Sequence, residues 1–319
     1  MSNNIIIETR NLKKYFKTRA GYLHAVDDVN LTISSGKTLG VVGESGCGKS
    51  TLGRTILQLL EPTSGEVLFQ GQDISKYKGA ELRQIRKDMQ IIFQDPYASL
   101  NPRMSVFEII SEYMMINKVY KTKEELWNQT AHLMDIVGLS RRLAGSYPHE
   151  LDGGRRQRIG VARAISLKPK FIVCDEPVSA LDVSIQAQIL NLLMDIQDEM
   201  KISYLFITHD LSVVKHISDE IAVMYLGQVI EQADSNTLFK SPKHPYTKAL
   251  LEAVPVPESS AREKTIATIK GEVSDPIEPP EGCRFASRCE FAFDKCHNIT
   301  PPFLEVGEKH RCACHLYDI

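Results

Sequence analysis

The chain has 319 residues, 43% of them hydrophobic and 24% charged, with a formal net charge of −2. That is ordinary globular composition, long enough for one large core or two modest domains. The charge balance argues against a sequence-independent nucleic-acid binder, which needs a basic surplus against phosphate, and no apolar run approaches the roughly 18 residues of a membrane-spanning helix.

The opening stretch MSNNIIIETRNLKK holds an apolar patch too short and too interrupted for a signal peptide. A cytosolic chain is expected, with any membrane role supplied by partners. The run LGVVGESGCGKSTLGRTILQLL follows at 39–60. It reads as a buried strand, Leu39 to Val42, a glycine loop, and a helix with apolar residues at 52, 56, 59 and 60. Gly43-x4-Gly48-Lys49-Ser50 is a phosphate-binding loop: glycines let backbone N–H groups wrap phosphate, and the helix N-terminus adds a favourable dipole. Gly43, Ser45, Gly46, Cys47, Gly48 and Thr51 are the expected nucleotide contacts beside Lys49, which reaches the β- and γ-phosphates, and Ser50, whose hydroxyl suits Mg²⁺.

Helical periodicity runs from Val106 to Val137, including the single tryptophan, Trp127. ELDGGRRQRIG, at 150–160, looks like a second phosphate-gripping loop and helix, but it carries Asp152 where a neutral hydroxyl suits a triphosphate better. KFIVCDEPVSALD places Asp175 at the end of a short buried strand, Phe171 to Cys174. Asp175 is the expected Mg²⁺ ligand, and Glu176 the general base that orients the attacking water. The helix after Ser184 has apolar residues at 185, 189, 192, 193, 196 and 200, a core face. YLFITHD repeats the strand-end design, with His209 suited to the γ-phosphate and the water.

Seven of the 15 prolines fall from Pro255 onward, marking a boundary near 252–260 between a regular body and a loop-rich tail. The tail also holds five of the seven cysteines, spaced C-x5-C-x6-C-x17-C when Cys283, Cys289, Cys296 and Cys314 are taken together. In a reducing compartment such a group is more often a metal site than a disulfide framework. Four thiolates suit an iron–sulfur cluster or zinc, both soft-ligand sites. The spacing matches no common C-x2-C zinc pattern, and thiols without metal are the remaining alternative.

The motif order resembles the ATPase subunits of ABC transporters over nearly the whole chain: P-loop, IIFQDP, LDGGRRQR, IVCDEP, SALD, ITHD. The resemblance implies an α/β P-loop cassette, with an antiparallel β portion, a RecA-like parallel core and a helical subdomain at about 97–160. It implies a nucleotide-binding domain over 1–255 and a cysteine-containing extension over 256–319. Gln94 becomes the Q-loop residue that contacts the metal and senses a membrane partner. Ser179, Ala180, Leu181 and Asp182 become the D-loop, His209 the switch histidine, and Tyr15 the aromatic that stacks on adenine, a role open to Phe16 as well. Leu151, Asp152, Gly153, Gly154 and Arg155 stand in the signature, which acts on the nucleotide of an opposing subunit. A soluble ABC protein working on ribosomes or DNA is the rival class; the single cassette and the absence of long heptads count against it.

FQDPYASLNPRM, the stretch from Asp175 to Gln197, and SPKHPYTKALLEAVP are similar to dipeptide and oligopeptide importers, above all to the second, F-type, of their two ATPases. That implies ATP and Mg²⁺ as cofactors, and a [4Fe–4S] cluster in some members, with the final ACH favouring Cys314 over Cys312. It also implies a D-type ATPase partner, two permease subunits and an extracytoplasmic binding protein, with the chain peripheral on the cytoplasmic face of the membrane. Nickel or another small solute is the alternative to peptide. Where the family signature usually has serine and glutamine, this chain has Asp152 and Arg155. A carboxylate about 4 Å from a phosphate oxygen costs on the order of 4 kcal/mol per unit charge at an effective dielectric near 20. The expectation is two unequal ATP sites; the alternative is that Arg155 or a bound cation offsets the carboxylate and both sites work.

Overall fold

The computed structural model describes residues 5–253 and 277–318, so the boundary expected near 252–260 lies almost wholly outside the described residues. The chain forms two compact units, one of Met1–Ile6, Ser34–Lys37 and Lys76–Leu205, the other of Ile7–Ile33, Thr38–Ser75 and Phe206–Ile319.

The first unit carries the helices. Two S/T-x-x-E sequences set helix starts by reciprocal capping: Ser105 with Glu108 opens Val106–Ile116, and Thr122 with Glu125 opens Lys123–Ile136. The periodic run therefore splits in two, broken where Lys118 takes a left-handed φ of +51°. With Pro96–Ser99 and Gly153–Ile165 these helices form the expected helical block, which extends to 165. Ile109, Ile110, Met114, Leu133, Ile159 and Val161 are its buried core. Trp127 stays outside that core, 44% exposed and tilted against Phe107 at 5.4 Å. Beside the block, strands Met89–Ile92 and Phe171–Asp175 pair in parallel, and helix Val183–Met200 buries Ile189, Leu190, Leu193 and Ile196.

The second unit holds an antiparallel sheet in the order Tyr22–Val29, Ile5–Lys17, Ser64–Phe69, Gln72–Asp73, with Thr32–Ser34 beside the long strand. It also holds the strand leading to the P-loop, Thr38–Val42, buried at every residue and parallel to Glu220–Tyr225. A continuous apolar run of this kind suits a strand covered on both faces. The sheet continues antiparallel through Gln228–Asp234 to a hairpin of the tail, His310–Ala313 and Phe303–Gly307. The tail is thus built into the unit. Phe285 sits in one core with Val42, Val214, Val223, Tyr225 and Tyr246, edge-on to both tyrosines at 5.4 Å.

The helix after the P-loop is shorter than its apolar spacing suggests. It ends at Ile56; Gln58 turns left-handed at φ +53°, and Leu59 is 44% exposed where a core position was expected. Pro62 two residues beyond Leu60 cannot continue it. No helix among the described residues is long and apolar enough to cross a membrane.

Candidate active site

In the second unit, the P-loop joins strand Thr38–Val42 to helix Lys49–Ile56. Two of its glycines are sterically required. A Cβ on Gly48, at φ +106°, would stand 1.9 Å from the Ala25 carbonyl oxygen, and one on Gly43 would stand 2.1 Å from that of Met224. Gly46 faces open space, with nothing within 4 Å of an added Cβ. Lys49 is 4% exposed, and its Nζ donates to the carbonyls of Gly43 (2.8 Å) and Glu44 (2.9 Å). The ammonium is thus held inside the loop by weak neutral acceptors, for which phosphate oxygens are stronger replacements. Ser50 and Thr51 lie half-buried in the first helical turn, while Ser45 is exposed. Cys47 is 4% exposed with Sγ 3.8 Å from Lys49 Nζ, and burial pushes its thiol up. It therefore lacks the exposure and low pKa of a reactive thiol.

Tyr15, on the long N-terminal strand, stacks one face on His24, with centroids 3.9 Å apart and planes within 12°. Its hydroxyl donates to Asp27. Phe16 lies under the Lys14 ammonium at 5.0 Å. His209 is exposed at the end of strand Ser203–Ile207, just before helix Leu211–Ile217, which Asp210 caps through the N–H groups of Ser212 and Val213.

The acids lie in the first unit. Asp175 closes strand Phe171–Asp175 and is 1% exposed. Glu176 follows at φ +49°, a left-handed conformation that costs a non-glycine residue about 1 kcal/mol or more. The turn behind it is tied down, with the Ser179 N–H and hydroxyl both donating to the Glu176 carbonyl at 3.3 and 3.1 Å. Gln186 Nε2 donates to the carbonyls of Val178 and Leu181, fixing the stretch Ser179, Ala180, Leu181 ahead of Asp182, the first residue before the long helix. Gln94, far away in sequence, donates from Nε2 to Glu176 Oε2 at 3.0 Å. The structure therefore brings the Q-loop amide and the expected base into direct contact. Within this unit the Asp175 carboxylate and the Gln94 amide oxygen are hard donors of the kind Mg²⁺ prefers.

The signature opens helix Gly153–Ile165. Asp152 caps it, Oδ1 accepting from the Arg155 N–H at 2.8 Å, while Oδ2 lies 3.5 Å from Arg155 Nε. The two unusual residues form one locally neutral pair. Both side chains are more than half exposed, so solvent screens the pair and its energy is small. The repulsion expected from Asp152 alone is correspondingly reduced. A carboxylate still only accepts hydrogen bonds, whereas a serine hydroxyl donates one to phosphate. Gly153 and Gly154 sit close to the D-loop and its helix, an added Cβ standing 3.3 Å from Leu181 Cδ2 and 2.9 Å from Ile185 Cγ2. Leu151 is buried beside them.

In the tail, Cys283, Cys289, Cys296 and Cys314 line one pocket with Phe285, Phe291 and His244. Cys312 does not line it; it is fully buried in the hairpin strand paired with Glu231. Burial, with the nearby thiols adding, pushes Cys283 up to about 11. Among the described residues, no group of three or more His, Cys, Asp or Glu side chains is arranged to hold a single metal ion.

Charged residues in contact with this machinery escaped the motif reading: Glu44, Asp27, Arg284 and Arg288. The signal available was a pair of arginines inside the otherwise apolar stretch GCRFASRC.

Residues 26–179 match the family described as ABC transporter, and residues 230–296 match the C-terminal region of oligopeptide/dipeptide transporters. The oligopeptide transport ATP-binding protein AppF of Bacillus subtilis is 50% identical over 98% of this chain and 97% of its own length. OppF of Haemophilus influenzae, likewise an oligopeptide transport ATP-binding protein, is 48% identical over 97% and 94%. Among solved structures, the cassette MJ0796, seen as a dimer in a post-hydrolysis state with ADP and Pi, superposes with a TM-score of 0.67 at 28% identity, covering 72% of this chain and 99% of that one. CbiO1 from Clostridium perfringens, part of an ABC transporter complex, gives 0.66 at 28% identity, over 75% and 92%. With a cassette P-loop, an acid pair after a buried strand and this C-terminal region in one chain, the protein belongs to the ATP-binding subunits of oligopeptide/dipeptide ABC transporters.

Proposed function

We propose that the chain hydrolyses ATP to drive peptide uptake, bound peripherally to two membrane permeases on the cytoplasmic face and paired with a second, D-type ATPase. An extracytoplasmic binding protein would deliver the solute. The observation that carries this reading is the near end-to-end match to oligopeptide transport ATP-binding proteins, tail included. Lys49 and the loop N–H groups bind the triphosphate, and Tyr15 supports adenine. Ser50, Asp175 and Gln94 are the residues that would hold Mg²⁺, whose positive charge would offset that of the phosphates. Glu176 orients and polarises the water, and His209 contacts the γ-phosphate. Leu151 to Arg155 and the D-loop act on the partner's nucleotide. The test is uptake of labelled dipeptides and oligopeptides by cells carrying the complex, with and without this subunit. Loss of peptide uptake on deletion is expected; unchanged peptide uptake with loss of nickel uptake would overturn the solute.

The reading includes unequal sites. This chain's own loop and acids are intact, so the nucleotide they hold turns over. The partner's nucleotide, facing Asp152 in place of a hydroxyl donor, is held and hydrolysed slowly.

The tail cysteines are read as ligands of a [4Fe–4S] cluster, supported by four thiols around one pocket with aromatic walls. Chain purified without oxygen is expected to contain iron and acid-labile sulfide and to absorb broadly in the visible. Serine at Cys283, Cys289, Cys296 or Cys314 should remove the iron, and Cys312→Ser should keep it. Iron absent from the anaerobic chain, or lost only with Cys312, would refute the assignment.

A further inference from the structure

The thiol-bearing loop of the tail sends one arginine to each end of the nucleotide site in its own unit. Arg288, just before Cys289, donates from Nη1 and Nη2 to Glu44 Oε2 and Oε1 at 2.9 and 3.1 Å. This two-pronged pair is the geometry that guanidinium and carboxylate favour. The Arg288 side chain is 5% exposed, and Nη1 also donates to the Tyr225 hydroxyl at 3.2 Å. Glu44 is held from the other side too, its N–H donating to the Tyr246 hydroxyl at 2.9 Å. Its carbonyl accepts from Lys49 Nζ. A line of direct contacts therefore runs from Arg288 through Glu44 to the phosphate-binding lysine.

Arg284, just after Cys283, is 8% exposed and donates to Asp27 and to the Leu226 carbonyl. Asp27 accepts from the Tyr15 hydroxyl and lies 3.2 Å from His24 Nδ1, the ring on which Tyr15 stacks. Next to Leu226, the Gly227 N–H donates to the Cys47 carbonyl at 2.8 Å, and the Gly227 carbonyl accepts from the Asp27 N–H at 2.8 Å. The second line thus reaches the adenine side and the back of the loop.

We propose that Arg284 and Arg288 are positioning residues for ATP: Arg288 sets the phosphate loop through Glu44, and Arg284 sets Tyr15 through Asp27. This rests on the P-loop and Tyr15 holding ATP. A loop held in its binding conformation before the ligand arrives loses less entropy on binding, which appears as affinity. Because the two arginines flank cysteines of one short loop, the conformation of that loop fixes where both guanidiniums stand.

Titration of the full chain with Mg-ATP, and separately with magnesium tripolyphosphate, tests this. Arg288→Gln and Glu44→Gln are each expected to weaken both ligands about tenfold, and the double variant should be no weaker than either. Arg284→Gln should weaken ATP by a similar factor and tripolyphosphate by clearly less. Arg288→Lys keeps the charge but not the two-pronged contact, so it should recover only part of the loss. Arg141→Gln, removing an exposed ion pair with Asp135 in the other unit, should change neither ligand. If Arg288→Gln fails to fold, Glu44→Gln probes the same bridge from the loop. Arginine variants that melt earlier yet bind both ligands like the unaltered chain, while Lys49→Ala loses them, would overturn this proposal alone. An unaltered chain that binds no better than Lys49→Ala would instead sink the assignment of the ATP site.

Discussion

Lys49→Ala is expected to bind Mg-ATP at least about 30-fold more weakly than the unaltered chain, the equivalent of roughly 2 kcal/mol or more for truncating one partner of a buried charge pair. Two features place this loss at the nucleotide and not at the fold. The Nζ donates to the carbonyls of Gly43 and Glu44 and to the Cys47 sulfur, all within the loop itself. The loop's shape is set independently, by glycines against the Ala25 and Met224 carbonyls and by Tyr246 on the Glu44 N–H. Calorimetric titration measures the affinity, and a melting curve checks that the variant is folded. Folded Lys49→Ala with unchanged affinity would remove Lys49 from the site.

Glu176→Gln is expected to keep ATP affinity and lower turnover by about 100- to 10,000-fold, the range for removing a positioned general base. The amide is isosteric with the carboxylate and its oxygen still accepts from Gln94, so the 3.0 Å contact survives. The left-handed backbone at this residue is held by Ser179 behind it, which the substitution leaves alone. What changes is the ability to take a proton from water. Single-turnover hydrolysis in the assembled complex, set beside equilibrium ATP binding, separates the two properties. Loss of binding together with turnover would mean that Glu176 holds the nucleotide instead of activating water.

The local features were legible because their causes are local. A buried apolar run followed by glycines and Lys49 specifies a strand, a loop and a helix N-terminus within a dozen residues, and the structure has all three. The same holds for Asp175 at its strand end; the break that splits the periodic run 106–137 into two capped helices is a finding of the structure. The tail was less legible. Its hairpin is stabilised by pairing with Gln228–Asp234 and by the buried contact of His310 with Glu231 at 2.7 Å, partners some 79 positions away. Arg284 and Arg288 reach Asp27 and Glu44 across 257 and 244 positions, and no periodicity or spacing carries such a pairing. The helix after the P-loop is shorter than its apolar spacing suggests for a different reason. Leu59 and Leu60 continue the apolar spacing, but the left-handed turn at Gln58 ends the helix first. Asp152 shows the limit from the chemical side: the substitution was visible, but the ion pair and helix cap it makes with Arg155 were not.

The proposed inequality of the two ATP sites, with the nucleotide bound by this chain's loop turning over and the partner's turning over slowly, is open to direct measurement. The direct measurement is the ATPase rate of the assembled complex with the catalytic glutamate neutralised in one subunit at a time. Glu176→Gln alone should reduce the rate about 100-fold or more, the equivalent change in the partner should leave most of it, and Asp152→Ser should raise the partner's contribution. Equal losses from the two glutamate changes, with no gain from Asp152→Ser, would show two equivalent sites.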